Sequence, residues 1–245
     1  MAVLLVLKHS ADEGPGRLGA TLRDHAFKLD IRRVDLGPEA GGDPMPRDMD
    51  DYAGLISLGG PQDPTEDLPF IDDELSLIRQ AHEREMPVIG ICLGHQLVAR
   101  ALGGELSKME TPEWGLRDVS LSFPGQTESI LAGIPWDHPQ FHTHAFEVSK
   151  APAGATVLAG NDRCKIQAFR AGVRTFGFQY HFEWDKPFLR GLAERESDQM
   201  RAAGLSVEAF EEQLAAGYGR YVRHAERLCV NLTTLSFNFG ELTRA

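Results

Sequence analysis

Residues 87–97 read PVIGICLGHQL: a buried-type run ends in Cys92, set between Gly90 and Gly94, and a helix-like stretch follows. In a G-x-nucleophile-x-G turn the glycines remove the clashes that any Cβ would make where a strand passes into a helix. Such a turn presents its central side chain at the carboxyl edge of a parallel sheet, where open α/β sheets bind ligands. A thiol there also sits at a helix N-terminus, whose dipole favours the thiolate. A small buried cysteine packing beside glycines gives the same five letters, so the rest of the chain has to decide.

Outward from this stretch, strands and helices alternate. Met86–Ile91 reads as a strand and Leu93–Leu102 as a helix closed by Gly103-Gly104. Upstream, Ala2–Leu7 is a continuous apolar run that suits a strand covered on both faces. A helix around Gly16–Ala26 and strands near Leu29–Val34 and Asp51–Leu58 follow, the last stopped by Gly59-Gly60-Pro61. Between Asp67 and Glu85 the positions Ile71, Leu75, Leu77, Ile78 and Ala81 recur at helical spacing. This order predicts an α/β fold with a doubly wound, mostly parallel sheet.

After Gly104 the pattern changes. Trp114–Phe123, Gln140–Val148, Thr156–Leu158, Lys165–Phe169 and Val173–Gln179 read as short strands of a small antiparallel region. From Lys186 to about Leu228 the sequence is helical again, with breaks expected near Gly204 and Gly217. The expected organisation is one α/β domain over residues 1–185, with a helical C-terminal extension over 186–245 packed on it. Its apolar positions, among them Phe188, Leu189, Phe210 and Tyr221, read as a packing face, with a dimer contact or an active-site cover as the alternative.

The net charge of −11 comes without a Lys/Arg cluster, which disfavours nucleic acid as a partner. Three cysteines without CxxC spacing argue against a disulfide scaffold or a cysteine zinc site. The apolar start is too short, and too poor in basic residues, for a signal peptide. No stretch approaches the roughly 20 apolar residues that span a bilayer. A cytoplasmic protein without membrane contact is the expectation.

A nucleophile needs a base, an orienting group and an oxyanion hole. In GFQYHFE (177–183), His181 and Glu183 stand two apart on an extended segment and point the same way, so Glu183 can hold the imidazole while His181 takes the thiol proton. Gly59-Gly60-Pro61 ends the preceding strand, where a glycine N–H can approach an oxyanion with the N–H of Leu93 as second donor. Each element also has an ordinary reading, as a half-buried strand histidine or a plain turn.

LGGPQDP (58–64), PVIGICLGHQLVARALGG (87–104), EWG (113–115), FHTHAFEV (141–148) and FGFQYHFE (176–183) together resemble the triad-type, class I glutamine amidotransferases, including the glutaminase domain of GMP synthase. Leu93 stands where related exposed-cysteine folds often carry a histidine, which favours the amidotransferase branch. The resemblance implies a flavodoxin-like sheet with Cys92 as nucleophile, His181 as general base and acid, and Glu183 as its orienting partner. It further implies backbone donors at Gly60 and Leu93, and contacts to the substrate's amino-acid end from Gly59, Gln96, Ala145 and Phe146. Many members have glycine or serine at the position of Ala145.

The implied chemistry is hydrolysis of the γ-amide of glutamine, or of a γ-glutamyl compound, through a γ-glutamyl thioester and without a cofactor. About sixty residues follow Glu183, too few for an ATP-using synthetase domain, and no GxxxxGK[ST] segment occurs. Two enzyme readings remain: an amidotransferase serving a separate ammonia-accepting synthetase, and a stand-alone γ-glutamyl peptidase or hydrolase. A non-catalytic binding or regulatory module of the same fold is the third. No metal is expected: His138, His142 and His144 lie close together, but no carboxylate or cysteine stands near them at ligand spacing.

Overall fold

The computed structural model describes residues 2–237. Its strands are β1 (Val3–Lys8), β2 (Lys28–Arg33), β3 (Gly54–Ser57), β4 (Val88–Ile91), β5 (Glu105–Leu121), β6 (Asp137–Lys150), β7 (Thr156–Gly160), β8 (Ala168–Ala171) and β9 (Thr175–Phe178). They form one sheet in the order β2-β1-β3-β4-β9-β8-β7-β5-β6. The half from β2 to β9 is parallel, and the remaining pairings are antiparallel. The helices are α1 (Gly16–Asp24), α2 (Ile71–Glu83), α3 (Leu93–Ala101), the short α4 (Phe123–Thr127), α5 (Lys186–Arg195), α6 (Ser197–Ala202) and α7 (Val207–Asn231).

Side-chain alternation along β1 shows why the sheet is wound on both faces. Leu4 and Val6 join Leu18 and Leu22 of α1 and Ala225 and Leu228 of α7 in one buried cluster. Leu5 and Leu7 turn the other way, into a cluster with Leu75 and Ile78 of α2 and Leu97 and Val98 of α3. No helix among the described residues is long and apolar enough to cross a membrane.

The antiparallel part is longer than its sequence suggested. The strand expected at 114–123 spans 105–121, and its partner expected at 140–148 spans 137–150, so β5 and β6 make a long ribbon along the sheet edge. The strand expected at 165–169 is confined to 168–171. The expected break near Gly204 separates α6 from α7, whereas the one near Gly217 does not occur, because α7 runs unbroken from Val207 to Asn231. Gly217 serves packing instead: a Cβ there would come within 3.1 Å of Leu116 on β5. Leu189, Phe210, Leu214 and Tyr221 are buried, so the apolar face of these helices is core, while Glu196, Gln199 and Ala202 reach the cavity described next.

Candidate active site

Cys92 caps α3 at the end of β4 with φ 52° and ψ −105°, a backbone conformation that costs a non-glycine residue about 1–3 kcal/mol. The Cys92 N–H donates to the Phe178 carbonyl at 2.8 Å and the Gly94 N–H to the Leu58 carbonyl at 3.0 Å, tying the turn to strands on both sides. A Cβ at Gly94 would lie 2.1 Å from the Ser57 carbonyl oxygen, and one at Gly90 would lie 2.4 Å from that of Gly94. Both glycines are therefore demanded by backbone contact.

β9 runs beside β4 with Phe178 opposite Ile91, so the chain leaving β9 passes the thiol. The His181 N–H donates to the Phe141 carbonyl at 2.8 Å, and its ring stacks on Trp184 at 3.5 Å between centroids. Its Nδ1 lies 2.7 Å from Oε1 of Glu183, whose Oε2 accepts the Phe182 N–H at 3.0 Å. His181 and Cys92 both border the Gly59 turn, and the Cys92 thiol donates to the Thr143 carbonyl at 3.7 Å. Burial lowers the His181 pKa, but the charges of Glu183 and Cys92 outweigh it and raise the value to about 10. Arg17 of α1 fixes this segment by donating to the carbonyls of Phe182 and Trp184, at 3.0 and 2.8 Å. Tyr221 of α7 adds a bond to Trp184 at 3.0 Å.

The GGP turn closes the other flank. Among the described residues, neither the Gly60 nor the Leu93 N–H donates to a protein acceptor. A Cβ at Gly59 would lie 2.8 Å from Cε1 of His181 and 3.5 Å from Cβ of Cys92, so only glycine fits. The buried His9 supports this turn: its Nδ1 lies 3.2 Å from the Gly59 carbonyl oxygen and its Nε2 2.8 Å from Glu74 of α2. Glu74 also accepts the Ser57 hydroxyl at 2.6 Å.

Cys92 and His181 open onto a cavity of about 270 Å³. Gly60, Gln96, Ala145 and Phe146 line it too. The Gln96 amide nitrogen donates to the Phe146 carbonyl at 2.9 Å and to Oε1 of Gln179 at 3.1 Å, which uses both its hydrogens. What Gln96 offers a ligand is its carbonyl oxygen, an acceptor suited to an ammonium group. Of the nine residues expected from the sequence, Gly60, Cys92, Gln96, Ala145, Phe146 and His181 line this cavity, while Gly59, Leu93 and Glu183 adjoin them without lining it.

Three carboxylates at the cavity carried no expectation. Glu113 on β5 faces His144 across the ribbon and accepts from His144 at 3.0 Å, Gln167 at 2.6 Å and Asn161 at 2.8 Å. Burial raises its pKa, but the bond from His144 and the neighbouring imidazoles prevail and lower it to about 2. Glu196, between α5 and α6, accepts from Trp114 Nε1 at 3.2 Å and Thr143 Oγ1 at 2.9 Å. Glu13 lies in the β1–α1 loop. Glu113 was visible inside EWG, whereas nothing in the sequence marks Glu13 or Glu196.

Glu113 also corrects the premise on metals, because pairing β5 with β6 supplies His142 and His144 with the carboxylate their sequence neighbourhood lacks. Potential ligand atoms of the three all lie within 4.8 Å of one another. Glu113 already accepts three hydrogen bonds, so with His144 it reads as a buried polar network that anchors the 144–146 segment, while the His142 ring makes no hydrogen bond to a described residue.

A doubly wound sheet with a cysteine at the strand–helix elbow and a His–Glu pair after the adjacent strand defines an α/β protein with a thiol at its sheet edge. The family model for class I glutamine amidotransferases matches residues 20–186, and the chain belongs to that family. It is similar to a solved glutamine amidotransferase from Methylobacillus flagellatus, with a TM-score of 0.84, 28% identity and 94% and 93% of the two chains covered. It is 34% identical to one subunit of the glutamine-hydrolysing GMP synthase of Sulfurisphaera tokodaii, over 55% of this chain and 69% of that one. It is 28% identical to γ-glutamyl peptidase 3 of Arabidopsis thaliana over 62% of this chain and 63% of that one.

Proposed function

We propose that the protein hydrolyses the γ-amide of glutamine or of a γ-glutamyl compound, with Cys92 as nucleophile, His181 as proton carrier and Glu183 as its orienting partner. The reading rests on the strained Cys92 and on His181 at one cavity wall, with Glu183 hydrogen-bonded to the imidazole. The thiolate attacks the γ-carbonyl carbon, and the oxyanion that forms takes the N–H groups of Gly60 and Leu93. The C–N bond then breaks as His181 gives its proton to the leaving nitrogen, and a γ-glutamyl thioester remains. His181 next takes a proton from water, whose oxygen attacks the thioester carbon; glutamate leaves and the thiol is restored. Gln96, Ala145 and Phe146 hold the amino-acid end, with the Gln96 carbonyl oxygen toward the α-ammonium.

Relatives named for GMP synthase and for γ-glutamyl peptidase support two variants of this chemistry: ammonia delivery to a separate synthetase, and hydrolysis without a partner. A diazo-oxo-norleucine-type probe should label Cys92, as read by peptide mass spectrometry. A screen of glutamine and γ-glutamyl amides, with and without cell extract, separates the variants. Glutamine turnover that appears only with extract points to a partner, and strong turnover of a γ-glutamyl amide alone points to the hydrolase. An unlabelled Cys92 together with no turnover in either arm overturns the proposal.

The His181 pKa sets a pH signature. kcat/KM should hold on the alkaline side until pH passes about 10 and then fall, as the imidazolium loses its proton. Glu183→Gln removes the largest raising charge and should move that limb to lower pH. A limb that stays in place would contradict the pairing. Stability follows the same sign, since a raised folded-state pKa contributes in full below the ordinary value of 6.5 and is lost as pH rises toward about 10.

A further inference from the structure

We propose that Glu13 is a specificity-determining residue whose carboxylate receives a cationic group on the amine half of a γ-glutamyl amide. The inference rests on the γ-glutamyl reading above and names the class of substrate.

Position comes first. The leaving nitrogen must meet His181, which gives it a proton. The point at which a Cβ of Gly59 would stand is 2.8 Å from Cε1 of His181 and 2.9 Å from Oε2 of Glu13, so ring and carboxylate flank one spot at the cavity wall. Sheet order sets Glu13 apart from the Phe146 part of the amino-acid end. Glu13 and Gly59 follow β1 and β3, on one side of β4 and Cys92, whereas Phe146 belongs to β6 at the far edge and His181 follows β9 between them. A substituent on the nitrogen that meets His181 comes within reach of Glu13.

Chemistry comes second. Of the cavity's carboxylates, Glu113 and Glu196 have their hydrogen bonds from neighbouring side chains. The Glu13 carboxylate receives none from any described residue, although it is half-buried. No Lys or Arg is among the described residues lining the cavity. The charged and titratable groups facing Glu13 are His181, Glu183, Glu196 and His9. Burial, with the charges of Glu183 and Glu196, raises its pKa to about 7 against the opposing pull of His181 and His9. His181 stands to one side of this carboxylate but no side-chain donor among the described residues satisfies it, and an ammonium or guanidinium on the substrate supplies one.

The test compares three γ-glutamyl amides of matched length, made from 1,4-diaminobutane, n-butylamine and 4-aminobutanoate. Wild type should prefer the diaminobutane amide over the n-butylamide in kcat/KM by about tenfold or more, in keeping with a charge-assisted hydrogen bond, and should disfavour the 4-aminobutanoate amide. Glu13→Gln, checked for unchanged thermal unfolding, should bring the ratio of the first two close to unity. Glu13→Asp, which keeps the charge, should restore part of it. Wild type without the preference overturns the proposal, as does a Gln variant that keeps the ratio, including one that loses all three substrates equally. Turnover of all three without discrimination defeats only the role of Glu13. Failure of wild type to cleave any of them, or glutamine, defeats the γ-glutamyl reading and this proposal with it.

Discussion

A Cys92→Ala variant is expected to lose γ-glutamyl turnover by at least about 10³-fold while keeping wild-type thermal unfolding. The two halves of this expectation have separate physical origins. Turnover depends on the sulfur, because Cys92 carries the one thiol among the described residues lining the cavity and its charge acts on His181. Folding does not depend on it. The elbow is held by the backbone bonds from Cys92 to Phe178 and from Gly94 to Leu58, and alanine keeps both. The variant should also release the His181 pKa downward, since one of the charges that raise it is gone. NMR titration of the imidazole reads that shift without any substrate. Turnover within a few-fold of wild type would sink the assignment of Cys92, and an unchanged His181 titration would sink its pairing with the thiol.

Replacing Glu74 with alanine should be among the most damaging changes away from the cavity, at about 3–5 kcal/mol. Glu74, His9 and Ser57 are fully buried, and removing the carboxylate strands a buried imidazole and a buried hydroxyl. The loss also reaches the site. His9 bridges Glu74 to the Gly59 carbonyl, so the turn that carries the Gly60 N–H loses its tether. Denaturant unfolding should show the destabilisation, and residual turnover should fall in kcat more than in KM if the turn serves the oxyanion. Glu74→Gln keeps the shape and part of the bonding and should cost less. A loss below about 1 kcal/mol in the alanine variant would show that the triad of buried polar groups is not needed.

The parallel half of the sheet was legible because its signals are local. Ala2–Leu7, Asp51–Leu58 and Met86–Ile91 are short apolar runs, each followed by helical spacing or a glycine stop; β3 and β4 fall within theirs and β1 runs one residue past its own, to Lys8. The antiparallel ribbon was less legible. The stretch before Trp114, with Lys108, Glu110 and Glu113, shows no apolar alternation, and it is the pairing with β6 that makes it a strand. The Gly217 break failed for the same kind of reason. A glycine is a weak stop where a long amphipathic face has a partner to bury it, and here the glycine serves a close approach to Leu116.

The site divides along the same line. Gly90, Cys92 and Gly94 could be read from five letters, because an elbow is a local backbone geometry that few sequences satisfy. His181 and Glu183 could be read as a pair from the period of an extended segment. Their approach to Cys92, and the contributions of Gln96, Ala145 and Phe146, came from the family resemblance and not from spacing. Glu113 was visible inside EWG but without a role, and Glu13 and Glu196 were silent. Those two come from the β1–α1 loop and the α5–α6 junction, and a carboxylate in a loop reads as solvated until the fold sets something beside it. The sequence by itself thus determined the alternating α/β framework and the turn that presents the thiol, both of which are set by neighbours along the chain. Only the tertiary structure decided which charges share the cavity with that thiol. That depends on the order of strands in the sheet, which joins residues far apart in sequence and sets the Glu13 carboxylate beside His181 with no side-chain donor to it among the described residues.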